Sequence, residues 1–265
     1  MDILEKIIAH KKIEVAKKKE LVPASQFESF PYFSSTCNSL VTALLNEGGT
    51  GIIAEFKRKS PSKGIINADV TIAQVVTAYD KYASGISILT DEFFFGGSED
   101  DLVYTREIVN APLLRKDFIV DEYQVLEAKA IGASAVLLIA ACLSKSEVKN
   151  LALFAKRNGL EVLLEIHDET ELDHVSDEVD MVGVNNRDLK TFEVDINKSI
   201  QLASQLPAEK ILISESGINE PASIIKLREF GYQGFLIGEM FMKAPDPAVA
   251  FGNFVHQLRE FDNEG

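Results

Sequence analysis

From about residue 50 onward, the chain alternates short apolar runs with longer segments whose apolar residues recur three and four positions apart. Short runs rich in Ile, Val and Leu are typical of buried strands, and the three-four spacing is typical of amphipathic helices. The apolar runs begin at residues 51, 85, 111, 133, 160, 179, 210 and 234. Helices are predicted at residues 71–83, 99–109, 121–131, 144–157, 169–176, 196–205, 219–230 and 247–261, which gives eight strand–helix pairs.

Continuous apolar strands that alternate with helices indicate a parallel sheet covered on its faces. Eight such pairs within roughly 250 residues favour a closed (β/α)8 TIM barrel over an open doubly wound sheet. An open sheet more often has a glycine-rich turn after its first strand, and KRKSPSKG at 57–64 contains neither G-x-G-x-x-G nor a P-loop. No linker divides the chain, so we expect one α/β barrel domain over residues 1–265, with residues 1–48 as an N-terminal helical extension.

The extension is predicted to begin with a helix, because Ile3, Leu4, Ile7 and Ile8 lie at helical spacing and lysines fill the other face. A basic amphipathic helix can lie on a membrane, but docking on its own domain is the commoner arrangement. The segment has no apolar core of signal-peptide length, and no run approaches the roughly 20 apolar residues that a membrane span needs. We therefore expect no membrane association.

Composition and charge narrow the possible function classes. Hydrophobic residues make up 46% and charged residues 26%, as in ordinary soluble globular proteins. The net charge of −14 repels nucleic acid and anionic membranes unless the basic residues are segregated. Cys37 and Cys142 show no metal-ligand spacing and no pairing pattern, which fits a reducing cytoplasm. We expect a small-molecule substrate, with no nucleic acid and no obligate protein partner.

Charged and polar residues concentrate where the predicted strands end. In closed barrels of this type the chemistry lies at the C-terminal ends of the strands, which form one rim. The residues at these positions are Glu55, Lys57, Arg115, Lys116, Glu165, Asn185, Arg187, Glu215, Ser216 and Gly238. An unpaired buried charge costs several kcal/mol, so charges of both signs at one rim indicate paired functional groups. The alternative is that each strand end is wetted and its side chains point outward.

The loops after the seventh and eighth predicted strands suggest a phosphate site. SESGI at 214–218 and IGEMF at 237–241 each place a glycine where backbone N–H groups can approach a ligand closely. These are the loops that often bind phosphate in closed barrels. Ser60, Lys57 and Lys59 add a hydroxyl group and positive charge from the first loop.

Basic residues are also expected to gather at the same rim, although the chain is acidic overall. They are Lys57, Arg58, Lys59, Lys63, Arg115, Lys116 and Arg187. Their positive potential would attract an anionic substrate, so charge reversal of Lys59 and Lys63 is predicted to slow association.

Over nearly its whole length the chain resembles the indole-3-glycerol-phosphate synthase family of tryptophan biosynthesis. The family signature E-F-K-[KR]-x-S-P-[ST] is present as EFKRKSPS at 55–62. Further family blocks follow in the family's order: LLRKDFI at 113–119, LLEIHDE at 163–169, VNNRDL at 184–189 and ISESGI at 213–218. The resemblance implies a lyase that closes the ring of 1-(2-carboxyphenylamino)-1-deoxyribulose 5-phosphate and removes carbon dioxide and water, with no cofactor and no metal.

The resemblance also implies a role for each residue of the site. Lys116 would protonate the ketone oxygen, Glu165 and Lys57 would serve as base and acid in the dehydration, Glu55 would orient the lysines and Asn185 would hold substrate hydroxyls. Substrate-binding residues would be Arg187, Glu215, Ser216, Phe95, Phe118 and Pro61. Phosphate-binding residues would be Ser60, Gly217, Gly238 and the amide of Glu239. The division of the acid roles between Lys57 and Lys116 stays open.

Several interpretations remain beside these roles. Glu239 is expected to turn its carboxylate away from a phosphate, which it would repel. The Phe run at 93–95 is either core or pocket wall, and His167 is expected to be a hydrogen-bonded loop residue rather than a catalytic partner. Lys116 could instead form a Schiff base, as in aldolases, or the barrel could bind sugar phosphates without catalysis.

Overall fold

The computed structural model describes residues 3–61, 64–67, 69–189 and 191–264. Within these ranges, eight parallel strands form a closed barrel, and the first pairs with the last. The strands are β1 (Ile52–Phe56), β2 (Gly85–Leu89), β3 (Leu113–Lys116), β4 (Ala135–Ile139), β5 (Glu161–Ile166), β6 (Met181–Asn185), β7 (Ile211–Glu215) and β8 (Tyr232–Ile237). The predicted (β/α)8 barrel is confirmed.

Helices precede the first strand, connect the strands and follow the last strand. They are α1 (Ile3–Leu21), α2 (Leu40–Leu44), α3 (Ile72–Tyr79), α4 (Glu92–Phe95), α5 (Glu99–Ile108), α6 (Glu122–Ala130), α7 (Lys145–Arg157), α8 (Asn197–Ala203), α9 (Pro221–Glu229), α10 (Glu239–Met242) and α11 (Pro247–Glu264). Side-chain caps fix several starts: Thr71 with Gln74 and Ser144 with Glu147 form capping boxes.

The sequence pattern misses several short elements and misassigns one. The helix predicted at 169–176 is a 3-10 helix, Glu169–His174, in which Leu172 is the single apolar residue and packs, partly buried, against the core. Further 3-10 turns are Ala24–Ser29 and Ala140–Cys142. A hairpin of Lys59–Ser60 with Gly64–Ile65 stands in the loop after β1.

The N-terminal part of the chain covers both ends of the barrel. At the end where the strands begin, α2 inserts Leu40 and Leu44 into the apolar interior of the barrel. Leu40 lies so close to Gly85 that a Cβ on that glycine would be 2.4 Å from its Cδ1. At the opposite end, α1 buries Ile7, Lys11 and Val15. Among the described residues, no helix has the length and apolar character needed to span a bilayer.

Candidate active site

The C-terminal ends of the strands open into a cavity of about 840 Å³. Every residue to which the family resemblance assigns a role lines it: Glu55, Lys57, Ser60, Pro61, Phe95, Lys116, Phe118, Glu165, Asn185, Arg187, Glu215, Ser216, Gly217, Gly238 and Glu239. The barrel therefore brings together side chains spread over almost two hundred positions. Within the described ranges, no group of three or more His, Cys, Asp or Glu side chains is arranged to hold a metal ion.

Lys116 lies at the end of β3 between two buried carboxylates. Its Nζ donates to Glu165 Oε2 at 2.8 Å and to Glu215 Oε2 at 2.7 Å. Burial alone would lower the pKa of Lys116, but the charges of Glu165, Glu215 and Glu55 outweigh it and hold the pKa above its ordinary value. Lys116 is therefore an ammonium group aimed into the cavity.

The two carboxylates that share this ammonium have different proton affinities. Burial and the neighbouring Glu165 raise the pKa of Glu215 to about 7, although Lys116 opposes the change. Burial would also raise the pKa of Glu165, but Lys116 and His167 hold it well below its usual value. Like charges this close divide into one strong and one weak acid. Glu165 is consequently the ionised group, and Glu215 gains a proton near neutrality.

Glu165 has two further partners on its other oxygen. Asn185 Nδ2 donates to Glu165 Oε1 at 3.1 Å, and His167 Nε2 lies 3.2 Å from the same atom. His167 is buried, and its Nδ1 lies 3.3 Å from Glu171 Oε2. Burial would lower the pKa of His167, but contact with the two carboxylates raises it to about 10. His167 is hydrogen-bonded in its loop, as expected, and also contacts the predicted base.

Two glycines leave room for the carboxylates. A Cβ on Gly183 in β6 would lie 2.2 Å from Glu215 Oε1, and a Cβ on Gly238 would lie 2.8 Å from the Cβ of Glu55. Glu55 in turn accepts from Lys57 Nζ at 2.7 Å. Gly238 was predicted as a phosphate contact, and its lack of a side chain also permits the position of Glu55.

The loop after β7 has a strained backbone. Ser216 has φ 67° and Gly217 has φ 80°, a left-handed conformation that is uncommon for serine. Asn186 fixes this loop from beneath, because its Nδ2 donates to Ser216 O and to Ser214 Oγ, both at 3.0 Å. Asn186 is fully buried and was not identified from the sequence. The only signal was its place beside Asn185 in VNNRDL.

The expected direction of the Glu239 carboxylate, away from a phosphate, stays a prediction. The carboxylate pairs with Arg187 at 3.0 Å and with Lys243 at 2.5 Å, two cations that line the same cavity. The two positive charges neutralise the carboxylate, so it repels a phosphate less than an isolated glutamate would. Lys243 was not identified from the sequence.

Three of the basic residues predicted at the rim do not line the cavity. Arg115 is 1% exposed and binds Glu127 and Glu99 on the outer side of the barrel, because consecutive strand residues point to opposite faces and Lys116 takes the inner one. Arg58 pairs with Asp101, and Lys59 donates to Phe93 O at 3.2 Å. Lys63 lies outside the described residues. The prediction of one basic rim is therefore wrong for Arg115; Arg58 and Lys59 stand in the loop after β1, as predicted, without lining the cavity.

The apolar part of the cavity includes a contribution from the N-terminal helix. Phe95 and Phe118 line it with ring centroids 5.8 Å apart, and Pro61 lies in the same lining. Ile3, Leu4 and Ile7 of α1 line it as well, which the sequence did not reveal. The other rings of the Phe run stand apart from it, and Phe93 stacks on His10 with centroids 4.5 Å apart.

Comparisons with known proteins give matches over nearly the whole chain. The family model for indole-3-glycerol phosphate synthase matches residues 4–254. The indole-3-glycerol phosphate synthase of Bacteroides thetaiotaomicron is 47% identical over 97% of this chain and 99% of its own length. The enzyme of the same name from Caldanaerobacter subterraneus subsp. tengcongensis is 42% identical over 97% of this chain and 99% of its own.

Solved structures with low sequence identity share the fold. The 3-hexulose-6-phosphate synthase of Salmonella typhimurium superposes with a TM-score of 0.62 at 14% identity, over 79% of this chain and 98% of its own. A mutant tryptophan synthase alpha-subunit from Pyrococcus furiosus superposes with a TM-score of 0.60 at 15% identity, over 79% and 97%. At such identities the likeness concerns the barrel alone.

Proposed function

The chain belongs to the indole-3-glycerol phosphate synthase family, and on that premise we propose that its cavity converts 1-(2-carboxyphenylamino)-1-deoxyribulose 5-phosphate into indole-3-glycerol phosphate. Loss of carbon dioxide and water accounts for every atom, so the reaction needs no oxidant or reductant. The observation that carries the proposal is the Lys116 ammonium held between Glu165 and Glu215 in a cavity with an aromatic wall. This arrangement supplies an acid and a base within one site.

Ring closure requires an acid at the ketone oxygen. Lys116 donates a proton there while the ring carbon that bears the carboxylate attacks the carbonyl carbon. Its two carboxylate partners keep the ammonium protonated and direct it into the cavity. Release of carbon dioxide then restores the aromatic ring, and the transferred proton stays on the new hydroxyl group. General acid catalysis of this kind contributes about 10²–10⁴-fold to a rate.

Dehydration requires a base and a second acid. Glu165 takes a proton from the CH2 carbon next to the carbon that bears the new hydroxyl. The lowered pKa of Glu165 keeps it ionised at neutral pH. Lys57 protonates the hydroxyl as it leaves, and Glu55 holds the Lys57 ammonium at 2.7 Å. Glu215 lines the same cavity and is assigned to substrate binding; its Oε1 is buried against Gly183 and lacks a hydrogen-bond partner among the described residues.

Binding divides between the two ends of the cavity. The aromatic ring of the substrate packs against Phe95, Phe118 and Pro61, and Asn185 and Arg187 contact the sugar chain. The phosphate is bound by Ser60, Gly217, Gly238 and the amide of Glu239. Cys37 and Cys142 are not joined in a disulfide, which suits the reducing cytoplasm where we place the reaction.

A Schiff base at Lys116 would need an unprotonated amine. The raised pKa of Lys116 opposes this, because both carboxylate partners stabilise the ammonium form. Treatment with borohydride in the presence of the substrate is expected to leave no adduct on Lys116. A reduced adduct at this residue by mass spectrometry would favour the aldolase-type chemistry instead.

The direct test is turnover by the purified full-length chain, followed by the fluorescence of the indole product and by its mass. Glu165→Gln is expected to lose at least a hundredfold in kcat, because the amide cannot accept the proton. Glu169→Gln removes an exposed carboxylate nearby and is expected to match the wild type. Absence of indole product from the folded wild type, or an active Glu165→Gln variant, would refute the proposal.

A further inference from the structure

Lys11 of the N-terminal helix is a buried ammonium group that the proposed chemistry does not use. It is 1% exposed, and its Nζ lies 3.0 Å from Asp91 Oδ2 and 3.0 Å from Asp117 Oδ1, both on buried side chains. A third contact is with Glu14, one turn further along α1, whose Oε1 accepts a hydrogen bond from Lys11 Nζ at 3.1 Å. A buried ion pair stabilises a fold poorly compared with apolar packing, so its presence calls for another explanation.

The first partner, Asp91, shapes the aromatic wall of the cavity. Its other oxygen, Oδ1, accepts from the backbone N–H groups of Phe94 at 2.8 Å and Phe95 at 3.2 Å and so begins α4. This turn sets the direction of Phe95, whose ring lines the cavity. Through Asp91, the Lys11 ammonium is connected to one half of that wall.

The second partner, Asp117, directly follows the proposed acid Lys116 in the chain. Its Oδ1, which contacts Lys11, also accepts from the backbone N–H of Phe118 at 2.8 Å, and its Oδ2 accepts from Thr90 Oγ1 at 2.7 Å. Asp117 thereby fixes the backbone between Lys116 and Phe118, the second ring of the wall. The Lys11 ammonium group therefore links two segments: the one after β2, which leads to Phe95, and the end of β3, which carries Lys116 and Phe118.

The same contact anchors α1 over the cavity. Ile7 lies one helical turn before Lys11 and therefore on the same face of the helix, and it lines the cavity. Burial would lower the pKa of Lys11, but Asp117 and Asp91 outweigh it and raise the pKa, so the ammonium persists throughout the working pH range. The ion pair therefore holds α1 in place and does not respond to pH within this range.

We infer that Lys11 is a positioning residue of the active site: by binding Asp91 and Asp117 together it aligns the Phe95–Phe118 wall with Lys116. The inference rests on the proposed function for its kinetic consequence, but the placement of the rings is independent of it. If the Lys11 ion pair served stability alone, its removal would lower the free energy of unfolding and leave kcat and KM of the folded enzyme unchanged.

The test compares Lys11→Met, which keeps the length of the side chain and removes its charge, with Lys12→Met at the exposed neighbouring position. Because Lys11→Met leaves the buried Asp91 carboxylate without its cation, whereas Asp117 keeps Arg115 at 3.2 Å, a second variant, Lys11→Met with Asp91→Asn, removes the charge of Asp91 while its amide oxygen still caps α4. We expect kcat to fall at least tenfold and KM to rise several-fold in both Lys11 variants, and Lys12→Met to stay within twofold.

The double variant separates positioning from stability. It is expected to melt closer to the wild type than Lys11→Met does and yet to keep the lowered kcat. Kinetics that recover together with the melting temperature would overturn the inference, as would a folded Lys11→Met variant with wild-type kcat and KM.

A crystal structure of the double variant reads out the placement without any substrate. It is expected to show Phe95 and Phe118 displaced from their present contact, and unchanged positions of both rings and of Lys116 would overturn the inference. If the wild type proved inactive but the double variant still showed displaced rings, the proposed function would be refuted and the positioning role of Lys11 would stand.

Discussion

Replacement of His167 by asparagine is expected to change how the stability of the protein depends on pH. His167 lies between Glu165 and Glu171, and these contacts raise its pKa to about 10, against an ordinary value of 6.5. Because the folded protein binds this proton more tightly than the unfolded chain, the stabilisation is fully present below about pH 6.5 and is lost as the pH rises through about 10.

The size of the effect follows from the same values. The pKa in the folded protein lies about 3.5 units above the ordinary one, and at about 1.4 kcal/mol per unit the linkage is worth at most about 5 kcal/mol. His167→Asn keeps a polar side chain but cannot titrate. The difference in free energy of unfolding between the wild type and this variant should therefore shrink steadily between pH 6.5 and 10.

The assay is urea denaturation followed by circular dichroism at several pH values across this interval. His256→Asn is a matched control, because His256 is largely exposed and lies 3.9 Å from its partner Glu260. Its curve is expected to run parallel to that of the wild type. If His167→Asn also runs parallel to the wild type from pH 6.5 to 10, the proposed charge on His167 is wrong.

Two further substitutions test the supports of the site. Gly183→Ala should displace the Glu215 side chain and lower kcat at least tenfold in steady-state assays, and wild-type kcat in this variant would refute the close fit. The control is Gly252→Ala: Gly252 lies in a helix with open space for a Cβ, so this variant should keep its kcat and gain up to about 1 kcal/mol in free energy of unfolding. Asn186→Ala should release the loop at Ser216, raise KM and lower the free energy of unfolding by about 1–3 kcal/mol, and an unchanged urea midpoint would contradict this role.

The barrel could be predicted because its signal is repeated along the chain. Each apolar run becomes a buried strand, and side-chain caps begin several of the helices, so an error in one unit does not alter the others. The failure at 169–176 has a local cause: Glu169–His174 is capped by Asp168, but it contains one apolar residue, Leu172, and so lacks the apolar face that holds a full α-helix.

Side-chain direction within the site could be predicted only in part. The strand end LLRK gives two adjacent cations, and alternation dictates that one faces inward, but the sequence does not say which. The structure places Lys116 in the cavity and Arg115 against Glu99 and Glu127. Lys116 lies two positions after Leu114, whose side chain lies in the apolar interior of the barrel, so both side chains are on the inner face of the strand.

The role of the N-terminal helix could not be predicted because periodicity identifies a face but not its partner. Lys11 stands next to Lys12 in a lysine-rich segment and resembles a surface residue. Its burial depends on Asp91 and Asp117, at least eighty positions away, which only the closed barrel brings together.

The central claim, that Lys116 is the acid of ring closure, is tested most directly by single-turnover release of carbon dioxide from the labelled substrate. Lys116→Met is expected to slow this release by about 10²–10⁴-fold, whereas Lys57→Met should release carbon dioxide at a near wild-type rate and accumulate the hydroxylated intermediate before dehydration. Release at the wild-type rate from Lys116→Met would contradict the account.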